Sequence, residues 1–126
     1  MSRYRYLNAN PDGNDTTDCT IRAISLLLNK DYDDVYIGLF TEGLVKHLMP
    51  TEDVVWSTYL EKNSCQFVRL PSACPYCYTV NDFAKEFNIG RYLVKVDGHV
   101  VAVVDGYYYD TWNSGNEVVL YYWRKE

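Results

Sequence analysis

The sequence predicts an α+β protein with helices first and an antiparallel sheet after them. Three observations lead there. Apolar residues recur at helical spacing in several segments before Gly90. From Arg91 onward the pattern changes to short β-rich runs separated by Asp-Gly pairs, which are strong hairpin signals. A length of 126 residues with 48% hydrophobic content suits one core and not two, so residues 1–126 are expected to form a single domain. Helices followed by strands, rather than alternating with them, argue for α+β.

The elements follow in order. Residues 8 to 15 are a cluster of turn formers, after which Thr16, Thr17 or Asp18 caps a helix from Cys19 to Leu28. Ile21, Ile24 and Leu28 share one face of it. Asp31 restarts a helix through Tyr36 and Leu39, with Asp33 and Asp34 suited to its first turn. Gly43 and Pro50 then break the chain. Thr51, Glu52 and Asp53 open a third helix that ends near Asn63. A short strand is expected at Phe67 to Leu70, and Pro71 and Pro75 impose loop. Thr79 caps a fourth helix carrying Val80, Phe83, Ala84 and Phe87, and Gly90 stops it. Four strands follow: Arg91 to Val96, His99 to Val104, Tyr107 to Trp112 and Glu117 to Arg124. Many of the 13 tyrosines fall in these strands, where aromatic side chains are favoured.

Charge and patterning narrow the function. A net charge of -5 is repelled by a phosphate backbone, so no nucleic-acid partner is expected. No apolar stretch is long enough to span a bilayer, so no membrane partner is expected either. Met1 to Asn10 lacks the basic start and apolar core of a secretory signal. The expected location is therefore the cytoplasm, of a bacterial host or of something replicating inside one. In that reducing compartment Cys19, Cys65, Cys74 and Cys77 are expected as thiols.

The hairpin at Asp105-Gly106 brings chemistry together. A two-residue loop there pairs Val104 with Tyr107, Val101 with Asp110 and His99 with Trp112. His99 and Asp110 then become diagonal neighbours on one face. An imidazole so placed donates one ring N–H to the carboxylate and keeps its other nitrogen for a nucleophile. Cys19, at the start of the first helix, is the candidate, because free N–H groups and the helix dipole favour a thiolate there. Cys19, His99 and Asp110 are thus a candidate nucleophile, base and orienting acid for acyl transfer. The Cys19 N–H and the Asn14 side chain are the candidate oxyanion donors. His47, the other histidine, is read as a surface residue.

Residues 18 to 25 resemble the nucleophile helix of small papain-like cysteine-peptidase-like proteins of bacteriophages and bacteria. Residues 98 to 106 and 109 to 115 resemble the histidine and acid strands of these proteins, and residues 79 to 84 resemble the helix before that sheet. The resemblance leaves residues 40 to 78 unaccounted for. It implies a papain-like fold with an active cleft between helices and sheet, and Cys19, His99 and Asp110 as the triad. It names no substrate. Papain-like enzymes usually place a glutamine upstream of the cysteine; here Asn14 is the only neutral amide close behind it.

Other chemistries compete. Cys74-Pro75-Tyr76-Cys77 matches the redox centre of glutaredoxins and precedes a helix, but a βαβ setting is missing around it. Cys65, Cys74 and Cys77 offer three of the four ligands of a zinc clip. A Tyr-lined cleft could also bind a peptide without cutting it. The expected function is a cysteine hydrolase or acyl-transfer enzyme acting on a peptide, isopeptide or other amide bond, with no cofactor required. A non-catalytic binding module or a thiol-disulfide oxidoreductase is the alternative.

Overall fold

A computed structural model describes residues 2–70 and 77–126. Among these residues the chain is α+β. Its elements are β1 (Tyr4–Tyr6), α1 (Cys19–Leu28), α2 (Tyr32–Lys46), α3 (Asp53–Lys62), β2 (Cys65–Arg69), α4 (Val80–Glu86), β3 (Arg91–Val96), β4 (His99–Val104), β5 (Tyr107–Asp110) and β6 (Tyr121–Lys125). One sheet carries all six strands in the order β1-β5-β4-β3-β6-β2. Every pairing is antiparallel except β1 with β5.

Strand alternation gives the sheet two apolar faces. Leu93, Val100, Ala102 and Trp123 pack against Ile21, Ile24 and Leu27 of α1, with Val35, Leu39, Trp56 and Leu60 of α2 and α3 behind them. On the other side Val94, Val96, Val101 and Val103 meet Val80, Phe83 and Ala84 of α4. Phe83 also meets the rings of Tyr92 and Tyr122 edge-on. Three of the tyrosines, Tyr92, Tyr108 and Tyr122, are thus core residues of the sheet.

The hairpins form in the expected register: Val104 pairs with Tyr107 and Ala102 with Tyr109. The last strand departs from a simple meander. β6 does not follow on beside β5 but returns to the far side of β3, where Tyr92 pairs with Arg124. It also starts at Tyr121 rather than Glu117. The preceding residues bond the start of α4 instead, with the Val80 N–H on the Glu117 carbonyl and the Val119 N–H on the Tyr78 carbonyl.

Three other boundaries differ for local reasons. α2 runs through Gly43 to Lys46, because that glycine is where the following loop approaches most closely. A Cβ there would lie 2.7 Å from the Leu48 carbonyl oxygen. The helix ends at His47, in left-handed conformation at φ 55°, with the Leu48 N–H on the Gly43 carbonyl. β5 stops at Asp110 rather than Trp112, since the Thr111 N–H turns to the Asp110 side chain at 2.8 Å and leaves the ladder. β1 is only three residues long, and its Tyr-Arg-Tyr alternation is too short to announce a strand. No helix among the described residues is long and apolar enough to cross a membrane.

The packing of α1 on the sheet sets a stability test. Ile24 is fully buried between them, so Ile24→Ala is expected to cost about 2–5 kcal/mol in urea unfolding. Ile37→Ala, at a side chain 63% exposed on α2, is expected to stay within about 0.5 kcal/mol of the parent. Equal losses at the two positions would contradict this core.

Candidate active site

Three elements converge on one cleft of about 330 Å³: the start of α1, the start of α3 and the β3–β4 turn. Cys19 and Thr20 line it from α1, Asp53 and Trp56 from α3, and Lys95 and His99 from the sheet. Cys19 is the first residue of its helix, so its sulfur sits at the positive end of the helix dipole.

His99, the first residue of β4, joins the two sides. Its Nε2 lies 2.6 Å from Asp110 Oδ2. Its side chain is also coupled to the Cys19 thiol, whose charge favours the imidazolium. The Trp112 ring lies 5.0 Å from the imidazole, centroid to centroid, and covers it from one side. The structure therefore places His99 beside Asp110, as the hairpin register anticipates, and puts Cys19 in the same cleft as His99.

The Cys19 thiol has further donors. Continuing the β4–β5 register would set Thr111 opposite Val100. Because β5 ends one residue earlier, Val100 is released from that ladder and its backbone hydrogen-bonds the thiol instead. The Thr20 hydroxyl adds another contact. Burial opposes ionisation of the thiol, but the hydrogen bond and charge of His99, with Val100 and Thr20, outweigh it and hold the Cys19 pKa below its ordinary value. Burial likewise disfavours the imidazolium of His99. Its hydrogen bonds to Asp110 and Cys19 overcome this and push its pKa up to about 9. Both shifts favour a thiolate–imidazolium pair.

Asp110 is held by more than His99. It is 2% exposed. Ser114 Oγ donates to Oδ2 at 2.9 Å, and the Thr111 N–H donates to Oδ1 at 2.8 Å. Arg22 of α1 reaches the same Oδ1 with one guanidinium nitrogen at 3.5 Å. Its Nε lies 2.7 Å from Asp18 Oδ1. Asp18 Oδ2 accepts from the Tyr32 hydroxyl at 2.8 Å and from Asn10 Nδ2 at 3.1 Å. Burial would raise the Asp18 pKa, but Arg22, Tyr32 and Asn10 together bring it below the usual value. A polar chain thus runs from the loop before α1 through Asp18 and Arg22 to Asp110, His99 and Cys19.

That chain is the part sequence reasoning missed. Asp18 was expected only as a helix cap, and its side chain makes no cap hydrogen bond because Arg22, Tyr32 and Asn10 occupy it. The Asp18–Arg22 spacing of four residues was the available signal. Ser114 gave none, since its role depends on how the chain turns after β5.

The other expected site residues lie elsewhere. Asn14 is exposed on the loop before α1 and does not line the cleft, so the structure does not bring it to Cys19. Cys65 is buried in β2, and burial pushes its thiol up to about 11. Cys77 is exposed. Cys74, on which both the redox and the zinc proposals depend, lies outside the described residues. Among the described residues no group of three or more His, Cys, Asp or Glu side chains could hold a metal ion. His47 is exposed at the end of α2.

No family model matches the chain, and no curated protein or solved structure matches it significantly.

The Asp18–Arg22 pair carries a stability prediction. Both side chains are nearly buried, at 5% and 11% exposure. Asp18→Ala leaves the guanidinium without its closest partner and is expected to cost about 3 kcal/mol in urea unfolding. A loss below about 1 kcal/mol, the scale of a surface pair, would show that solvent takes over the contact.

Proposed function

We propose that this chain is a papain-like cysteine hydrolase or acyl-transfer enzyme acting on a peptide, isopeptide or other amide bond. The observation that carries the proposal is the position of His99, with Nε2 on Asp110 at 2.6 Å and its ring in the same cleft as the Cys19 thiol to which its charge is coupled. A thiol that had merely packed into the core would carry a raised pKa, as Cys65 does. Cys19 instead lines an open cleft with its pKa lowered.

The chemistry follows from these positions. The Cys19 thiolate attacks the substrate carbonyl carbon, and the carbonyl electron pair moves onto oxygen. The Cys19 N–H, one of the donors left free at a helix start, faces that charge as it forms. His99, protonated while paired with the thiolate, gives its proton to the departing amine, and the C–N bond breaks to leave a thioester on Cys19. Water or another nucleophile, deprotonated by the now neutral His99, attacks the thioester and restores the thiolate. Asp110 fixes the ring orientation and stabilises the imidazolium throughout. No step needs a cofactor. Thr17 and Thr20 line the cleft on the α1 side, in the neighbourhood that Asn14 was expected to occupy.

The pKa directions set a pH window. The thiolate forms as pH rises through the lowered pKa of Cys19, and the imidazolium is lost as pH rises through about 9. Reactivity is therefore expected to rise below the free-thiol value of about 8.5. Turnover is expected to fall above pH 9, where His99 can no longer supply a proton. The test is the pH dependence of Cys19 alkylation by iodoacetamide, followed by mass mapping of the Cys19 peptide. Wild type should react as a thiolate at neutral pH, and His99→Ala should slow it at least about ten-fold, the change that one pKa unit produces. A Cys19 that is inert, or that titrates like a free thiol with or without His99, would point to a binding module on the same scaffold.

A further inference from the structure

Lys95 stands out on the wall of the cleft. It lies on β3 with Val100 and Tyr121 as its cross-strand partners, and cross-strand partners share a face of the sheet. That face also carries Leu93, Ala102 and Trp123, which pack against α1. A lysine there interrupts an otherwise apolar surface. It is half-buried, and it lines the cleft that contains Cys19.

Lys95 Nζ donates to the Val96 carbonyl at 2.7 Å. Among the described residues no carboxylate lies within ion-pair distance of it. An ammonium has three donors, so two remain for something else. The acid lining the cleft, Asp53 on the α3 wall, acts on Tyr121, whose hydroxyl pKa burial and Asp53 push up to about 12. Lys95 is not among the groups that lower the Cys19 pKa, as His99 and Val100 are.

We propose that Lys95 is a specificity-determining residue that binds a carboxylate of the substrate, so that the cleft selects amides with an acidic group next to the scissile bond. The proposal rests on the hydrolase reading of Cys19 and His99. It specifies the substrate class: an acidic peptide, or an amide whose neighbouring residue ends in a free carboxylate. The negative net charge of the protein makes a local cation the more necessary for such a substrate.

Matched alkylating probes test this without a known substrate. Iodoacetylglycine and iodoacetylglycinamide both lose iodide to the Cys19 thiolate, and they differ only in a carboxylate one residue from the reacting carbon. The ratio of their rates at Cys19, read by mass mapping, is measured for wild type, Lys95→Met and Lys95→Arg. Lys95→Met is expected to reduce the acid-to-amide ratio by about five-fold or more, the factor that one unit charge at about 4 Å supplies even in water. Lys95→Arg is expected to keep most of it. A ratio unchanged in Lys95→Met, with Cys19 still reactive, overturns the role of Lys95 and leaves the hydrolase reading standing. A Cys19 inert to both probes in wild type overturns both.

Discussion

A buried carboxylate must be met by donors on its lone pairs, and Asp110 is met from several directions. His99, Ser114 and the Thr111 N–H donate to it at hydrogen-bond distance, with Arg22 at the edge of the same oxygen. Much of the local architecture follows from this requirement. The Thr111 N–H leaves the sheet to reach the carboxylate, so β5 ends at Asp110. That early end releases Val100 to the Cys19 thiol. The Asp110 carbonyl in turn accepts from the Leu7 N–H at 3.0 Å and from the Tyr4 hydroxyl at 3.1 Å, which ties the N-terminal strand to this point. Arg22 fastens α1 to the sheet at the same place, so the helix bearing Cys19 and the strand bearing His99 are held in register by one acid.

The same interaction explains why the cleft is built from both halves of the chain. Cys19 is separated from His99 by α2, α3, β2, α4 and β3. Only the packing of Ile21, Ile24 and Leu27 onto Leu93, Val100 and Ala102 brings the helix start over the β3–β4 turn. Hydrophobic burial supplies the approach. The polar chain from Asp18 through Arg22 to Asp110 sets the final orientation, because hydrogen bonds are directional where apolar contacts are not.

Much of this was legible in the sequence, for reasons that can be stated residue by residue. The Asp97-Gly98 and Asp105-Gly106 turns have one strong local meaning, so β3, β4 and β5 and the pairing of Val104 with Tyr107 could be read directly. With that register known, the proximity of His99 and Asp110 was a consequence of strand geometry. The α1 boundaries followed from the turn-forming loop before it and the helical spacing of Ile21, Ile24 and Leu28. What stayed hidden depends on distant contacts. β1 forms only because β5 offers it an edge. β6 starts late because α4 captures Glu117 and Val119 first. Gly43 looked like a helix breaker, whereas its lack of a side chain is what lets the Leu48 backbone fold back onto α2. Asn14 is near Cys19 in sequence only, and the bend at Thr16 and Thr17 leaves it exposed at the surface.

The central claim is that His99 is held as an imidazolium between Asp110 and the Cys19 thiolate. The most direct measurement is the ¹⁵N NMR spectrum of the His99 ring, recorded as a function of pH in the intact protein and in Asp110→Asn. This account predicts both ring nitrogens protonated at neutral pH, a titration near 9, and a clear downward shift of that titration in the variant. A neutral ring at pH 7, titrating near the ordinary histidine value of about 6.5 and indifferent to Asp110→Asn, would contradict it.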